Sequence, residues 1–415
     1  PFVSEELAGA DIRVERLPDG SGYQAAIVPY GQRVKTCGPG GDGLAINPFS
    51  RRAWQAAADY FLPAFQSLSI RAQFHDSWEY KSSACAELFE TFRNKRGYEF
   101  REHLEDFVGE NGLDRQNRVT HDLQLTLAEM ALDNFIRPWT DWCRQIGQQS
   151  RNQAHGSPGN LLDLYAAADI PETELYRSRL TEFSPLISKF ASSAAHVVGR
   201  RQVSSETGTW MKRHFEERLA DMKRLVDNLF VAGINHVVYH GTAYSPDDAP
   251  WPGWLFYATT QINPSNSIWR DLPALNTYIA RCQAVLQGGQ PDNDLLVYFP
   301  FHEVLHDASR PPAEHLGINA VWLQQLQASD LFRQLWRGGY GFDFVSDRQV
   351  ASLKYVDGSL VTPGGKYCAL LVPPAGCMPL STLEKLVKIS RAGAPVIFHE
   401  WPRDVPGLAG VREGR

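Results

Sequence analysis

No apolar run in this 415-residue sequence approaches the roughly 20 residues that cross a bilayer as a helix. No block of like charge occurs either. The 41 Lys and Arg and 47 Asp and Glu are spread along the chain, and a net charge of -6 leaves no electrostatic footprint for nucleic acid or an anionic membrane. The cysteines Cys37, Cys85, Cys143, Cys282, Cys368 and Cys377 have no CxxC spacing, which argues against a thiolate zinc site. The glycine-rich loop Cys37 to Gly43 lacks the Gly-Lys-Ser/Thr ending and the dinucleotide spacing of phosphate cradles, and reads as a flexible loop over a barrel mouth. No Ser or Cys stands in a nucleophile elbow, and neither His-x-His nor His-Glu-x-x-His is present. No signal peptide is seen. The chain opens on Pro1 rather than Met, so the natural N-terminus, with any export signal, is expected to lie upstream.

What is present is ordinary for a globular protein, with 43% hydrophobic and 21% charged residues. Aromatics are more telling, because 11 Trp offer flat amphipathic rings that suit the apolar faces of sugars as well as cores. The length exceeds one ordinary core, so two domains, or a barrel with an appendage, are expected.

Along the chain, Ile12 to Glu15 and Tyr23 to Val28 flank Pro18-Asp19-Gly20-Ser21-Gly22 and predict a hairpin. Ser50 is placed to cap a helix carrying Trp54, Ala57, Tyr60, Phe61 and Phe65. Short apolar runs then end repeatedly on polar residues: Ile70 to Phe74 on His75, Asp76, Trp78 and Glu79, and Asn235 to Tyr239 on His240. Between them, Ser150 to Glu206 holds several further such ends, and helical patterns cover Ala84 to Ile146, Thr209 to Ala232 and Leu272 to Leu286. Strands alternating with helices, polar at each strand's carboxyl end, are the grammar of a (β/α)8-type barrel. We therefore expect residues 1–290 to form such a barrel, truncated at its N-terminus. Gln287 to Asp292 is the linker candidate, and residues 291–415 are expected to form a second, incomplete α/β unit, flavodoxin-like with a parallel sheet.

The strand-end residues His75, Asp76, Glu79, His155, Asp169, Glu172, Glu174, Glu206 and His240 are dominated by carboxylates. Glycoside hydrolysis needs one carboxyl held protonated for the leaving oxygen and one kept ionised for water or the sugar. Glu79, after Trp78 and an apolar strand, suits the acid. Glu206, between Ser205 and Thr207, suits the carboxylate. Two metal readings stay open: zinc held by His75, Asp76, His155 and His240, or a hard cation such as calcium on oxygens of Asp76, Asn160, Glu172 or Glu174.

Six stretches, in order, carry a family pattern: Phe-His-Asp-Ser-Trp-Glu-Tyr (74–80), Lys-Arg-Gly-Tyr (95–98), Gln-Ala-His-Gly-Ser-Pro (153–158), Ala-Asp-Ile-Pro-Glu-Thr-Glu (168–174), Ser-Ser-Glu-Thr (204–207) and Val-Val-Tyr-His-Gly-Thr-Ala-Tyr-Ser-Pro (237–246). With them the chain resembles the bacterial α-L-rhamnosidases of glycoside hydrolase family 106. The resemblance implies inverting hydrolysis of terminal α-L-rhamnosyl groups in glycosides, oligosaccharides or polysaccharides, outside the cytoplasm. It implies calcium and no organic cofactor. Carried over, Glu79 is the acid, Glu206 the base and Glu174 a further site carboxylate. Asp76 with Glu174 or Glu172 would hold calcium, and His75, Asp76, Trp78, His155, Glu172, His240 and Tyr244 would contact sugar. Two departures stand out. Where the family shows a Trp-Thr-Pro segment, Lys81 to Glu87 reads Lys-Ser-Ser-Ala-Cys-Ala-Glu, and members extend further at both ends, so this chain is expected to lack first barrel strands and C-terminal β-domains. A non-catalytic rhamnoside-binding remnant and a zinc hydrolase are the competing expectations.

Overall fold

Five strands form one parallel sheet whose spatial order follows the chain: β3 (Ala72–His75), β4 (Gln149–Gln153), β5 (Ile170–Ser178), β6 (Ser204–Met211) and β7 (His236–Tyr239). They follow the antiparallel hairpin of β1 (Ala10–Arg16) and β2 (Tyr23–Pro29), in which Arg16 pairs with Tyr23 as the turn residues demand. The structure, a computed structural model, describes residues 4–34, 43–178, 184–211, 214–313 and 315–413. Residues 37–42 of the glycine-rich loop lie outside them. Helices join each parallel strand to the next: Leu161–Ala167, Pro185–Val198 and Leu219–Val231 after β4, β5 and β6, with a longer helical insertion after β3. This is the βα repeat of a barrel. Among the described residues β3 and β7 are its two unpaired edges. No described helix is long and apolar enough to cross a membrane.

Strand periodicity sorts side chains onto two faces. Ser150, Asn152, Thr173 and Thr207 face the helix layer, where Ser150 meets Thr140 at 3.0 Å and Thr173 meets Ser188 at 3.4 Å. Their neighbours Arg151, Gln153, Glu172, Glu174, Ser204 and Glu206 face the other way. β5 and β6 run on past the ends of β3, β4 and β7, with a register shift at Leu175/Tyr176 that leaves Gly208 as an extra residue at φ 102°. That left-handed conformation favours glycine, and a Cβ there would lie 3.2 Å from the His240 carbonyl oxygen.

Capping and breaks follow sequence chemistry. Ser50 Oγ accepts from Ala53 N at 3.3 Å at the head of Arg51–Gln66. The insertion breaks at Gly97, a left-handed C-cap. One expected boundary is corrected: residues 209–211 belong to β6, where Thr209 and Trp210 pair with Tyr176 and Arg177. The helix expected from Thr209 begins only at Leu219, capped by Arg218 and Asp221.

The second unit holds a four-stranded parallel sheet made of β8 (Leu295–Tyr298), β9 (Phe342–Val345), β13 (Ala369–Val372) and β14 (Val396–Phe398), in the order β14-β13-β8-β9. A small antiparallel sheet of β10 (Lys354–Val356), β11 (Ser359–Val361) and β12 (Lys366–Tyr367) escapes sequence analysis because its strands are only two or three residues long. The short helices Val321–Gln324 and Ser329–Arg337 lie between β8 and β9.

The helix Pro185–Val198 belongs to both units. Eleven of its 14 residues are buried, so it is covered on all sides rather than along one stripe. Ser188 touches β5, while Ser193 Oγ accepts from Phe344 N at 2.9 Å and Phe190 packs on Phe299 and Phe344 at 4.8 and 5.0 Å between ring centres. At its far end the fully buried Asp343 accepts from Lys189 (3.3 Å), His196 (3.0 Å), Asn293 (2.8 Å) and Tyr367 (3.0 Å). Burial alone would push the Asp343 carboxyl up, but Lys189 and His196 outweigh it and hold it well below the usual range.

Candidate active site

Glu174 and Glu206 are direct partners across β5 and β6, and both point to the face away from the helices. Glu172 is two residues before Glu174 on the same face and is completely buried. Ser204 donates to it, and Arg151, stacked over the Phe74 ring at 4.2 Å, places Nε 3.1 Å from its carboxylate. Gln153 ties the group together, its amide nitrogen donating to Glu172 at 3.1 Å and to Glu206 at 2.5 Å. The Gln153 Oε1 is buried with no hydrogen-bond partner.

His155 enters from the loop after β4. Its Nε2 lies 3.1 Å from Glu174 and its Nδ1 3.3 Å from the Tyr165 hydroxyl. Nε2–H donates to the Glu174 carboxylate, and the second ring nitrogen faces the Tyr165 hydroxyl. Gly156 makes this loop possible: it sits at φ 86°, and a Cβ would come within 2.6 Å of the Trp78 carbonyl oxygen. Trp78 N in turn donates to the His155 carbonyl at 3.0 Å, clasping the loops after β3 and β4 together. On the other side His240 places Nε2 3.4 Å from Glu206 and rests its ring 5.4 Å from Phe256.

The environments push these acids apart. Burial raises Glu206, and the charges of Glu174 and Asp76 raise it further, to about 8. Burial would raise Glu174 as well, but the hydrogen bond and charge of His155 outweigh it and keep Glu174 below its ordinary value. Glu172 is raised by burial despite Arg151. At neutral pH the pair therefore presents one protonated carboxyl beside one carboxylate.

Several expected site residues land elsewhere. His75 shares the phase of Asn152, not of Phe74, so its ring points into the helix layer against Phe135 and Trp139 and donates to Asn152 at 2.8 Å. Trp78, 3% exposed, packs against Phe49, Tyr80 and Phe135. Trp78 is thus buried and His75 partly buried among aromatic side chains. Asp169 lies at the start of β5, the opposite end from the carboxylates, held by Ser150 and Arg144. Ser205 and Thr207 donate to backbone carbonyls and give the Glu206 carboxyl nothing. Glu79 is exposed rather than set in an apolar pocket, because the Trp78 ring is turned into the core beneath it; its carbonyl accepts from Gln32 at 3.1 Å. Asp76 is exposed, and its charge is felt by Glu206 and Glu172. Tyr244 is on the loop after β7, 84% exposed. The three residues that sequence analysis missed, Arg151, Gln153 and Ser204, had one available signal: a β4 made wholly of polar residues implies a polar face on both sides.

With His75 turned away, the four residues expected to hold zinc, His75, Asp76, His155 and His240, are not brought together. Among the described residues no three His, Cys, Asp or Glu side chains are set to hold a metal, and of the two Glu174 oxygens Oε2 is engaged by His155. The donor set, hard oxygens with surplus negative charge, is of the type calcium takes, but its geometry is not that of a closed site.

Comparison with known proteins places this arrangement. The family model described as alpha-L-rhamnosidase, glycoside hydrolase family 106, matches residues 30–413. A rhamnosidase from Novosphingobium sp. PP1Y superposes with a TM-score of 0.73 over 96% of this chain and 38% of its own, at 21% identity. A beta-galactosidase from Bacillus circulans gives 0.59 over 85% of this chain and 55% of its own, at 10% identity. These two likenesses speak to fold alone, a mixed α/β architecture with a parallel half-barrel. A Formosa agariphila protein provisionally named a beta-glucuronidase is 27% identical over 98% of this chain and 34% of its own length. The chain thus spans little more than a third of the rhamnosidase and of this relative. On the match over residues 30–413, the chain belongs to the alpha-L-rhamnosidase family, glycoside hydrolase family 106.

Proposed function

We propose that the carboxylates at the strand ends hydrolyse terminal α-L-rhamnosides with inversion, Glu79 serving as acid and Glu206 as base. The observation that carries a glycosidase reading is the opposed tuning of Glu174 and Glu206, side by side on β5 and β6. Two carboxyls pushed apart in proton affinity mark an acid–base site, and since Glu206 acts as base only in its ionised form, turnover under this assignment rises with pH toward about 8. Glu172, His155 and His240 shape and orient the site around them. A second assignment is favoured by one observation: a Glu206 that keeps its proton near pH 7 is suited to be the donor instead.

Leaving-group dependence separates the two. A variant lacking the acid keeps turnover on rhamnosides with very good leaving groups, whereas one lacking the base does not. Glu79→Gln should show that tolerance and Glu206→Gln should not; the reverse pattern reassigns the roles. Proton NMR of the first anomer released tests inversion, and retention would sink it. A chain that binds rhamnosides without cleaving any is instead a binding remnant.

Calcium is retained in the proposal with Asp76 and Glu174 as the residues that would hold it; if bound, it would supply positive charge where the carboxylates crowd. The second unit is read as flavodoxin-like, supported by its strand order, in which the first strand in sequence, β8, lies between the second and third, β9 and β13.

A further inference from the structure

The loop after β7 exposes four large rings within fourteen residues: Tyr244 (84% exposed), Trp251 (76%), Trp254 (59%) and Tyr257 (57%). Single exposed aromatics are unremarkable, but four on one short loop are the composition of a binding surface. This set is held on a braced scaffold. Thr259 Oγ1 donates to the His240 and Gly241 carbonyls at 2.8 Å each, Trp254 N donates to Ser245 Oγ at 2.7 Å, and Gln261 donates to the Phe256 carbonyl at 2.7 Å. Trp251 also stacks on Phe215, from the loop after β6, with ring centres 6.0 Å apart and planes 26° apart.

The loop is linked to the carboxylates through His240. His240, which reaches Glu206, packs on Phe256, the residue between Leu255 and the exposed Tyr257. Both loops that carry the rings spring from β6 and β7, the strands that deliver Glu206 and His240. Ser245, Asp247 and Asp248, between Tyr244 and Trp251, add hydrogen-bonding groups to the same loop. Flat apolar faces beside acceptors suit a chain of sugar rings, whose C–H faces stack while their hydroxyls donate.

We propose that this loop is an aglycone platform. Its rings hold the sugar residues that carry the terminal rhamnose, so the preferred substrate is a rhamnose-capped oligosaccharide or polysaccharide rather than a small-aglycone rhamnoside. The proposal rests on the glycosidase reading of the carboxylates, and Trp251, Trp254 and Tyr257 are specificity-determining residues under it.

The test compares kcat/KM for p-nitrophenyl rhamnoside with that for rhamnose-capped oligosaccharides of two to five sugars. The expected result is a rise with length of about tenfold or more. Trp254→Ala and Trp251→Ala should each lower the long-to-short ratio by about three- to tenfold, the range for one stacked ring, mostly through KM, and Trp254→Tyr should restore most of it. A wild-type protein indifferent to length, or variants that lose long and short substrates equally, would overturn the platform. Should no rhamnoside be cleaved, the glycosidase reading fails while calorimetry with the same oligosaccharides still reads the platform: binding weakened by Trp254→Ala supports it, and absence of binding overturns it. Sedimentation covers the remaining occupant. Self-association abolished by Trp251→Ala, with the length effect intact, would make the surface a contact between copies and overturn the proposal.

Discussion

Gln153 donates through one amide nitrogen to two carboxyls on two different strands, Glu172 and Glu206. That single group fixes the spacing of the acids, and the site's behaviour toward protons and cations follows from the crowding it enforces.

The first consequence concerns pH. Glu206 is raised in the folded chain from an ordinary 4.5 to about 8, so the folded state binds the extra proton between those values. Stability attributable to this group is therefore full below about pH 4.5 and is lost as pH rises through about 8. Glu206→Gln, which mimics the protonated form, should leave stability near pH 5 little changed and make the chain more stable at pH 9, by about 4 kcal/mol at most. Denaturant unfolding at both pH values checks this; equal effects at pH 5 and pH 9 would contradict it.

Calcium, if bound by Asp76 and Glu174, should lower the proton affinity of the neighbouring Glu206. Binding at pH 7 should then release close to one proton, visible as a heat that depends on the ionisation enthalpy of the buffer. Glu174→Gln should remove both the binding and the buffer dependence. A calorimetric trace flat at millimolar calcium would withdraw the cation from the proposal.

Gly156→Ala asks whether the clasp between the loops after β3 and β4 matters. The added Cβ meets the Trp78 carbonyl at 2.6 Å in a left-handed backbone, so a loss of about 2–4 kcal/mol is expected. Because the same loop carries His155, the pH optimum should shift as Glu174 loses its partner's geometry. A variant with wild-type melting and pH profile would mean that the loop tolerates opening.

Asp343→Asn leaves Lys189 and His196 without the carboxylate that balances them. A buried charge stripped of its partner costs about 3–5 kcal/mol, and since Asp343 joins the helix Pro185–Val198 to the second sheet, both units should destabilise in one transition. Two separated transitions in a calorimetric scan would show that the units are independent.

How much of this could be read from residues alone varied with the kind of information required. Runs such as Leu295 to Tyr298 are legible as strands because they are short, apolar and preceded by polar residues, whereas the two- and three-residue strands β10 to β12 are not, and Ser50 and Gly97 mark helix ends by their own chemistry. Glu174, Glu206, His155 and His240 were legible as site candidates because polar residues on barrel strands need a reason to be there. Their surroundings were not legible. Ser205 and Thr207 are neighbours of Glu206 in sequence but lie on the other face of the strand, while the groups that set its proton affinity, Glu174 and Asp76, come from β5 and the end of β3. His75 failed for a related reason: one residue of phase carries it from the cleft to the helix layer.

The helix Pro185–Val198 also bears on how such proteins can be recombined. The polar segment near residue 290 looks like a seam at which the last 125 residues could be exchanged between relatives. Yet Phe190, Ser193 and His196 are shaped to a sheet that the exchange would replace. A viable hybrid has to inherit that helix face together with the second sheet, so the two units are expected to travel through evolution as matched sets, with substitutions at these three positions tracking substitutions around Asp343 and Phe344.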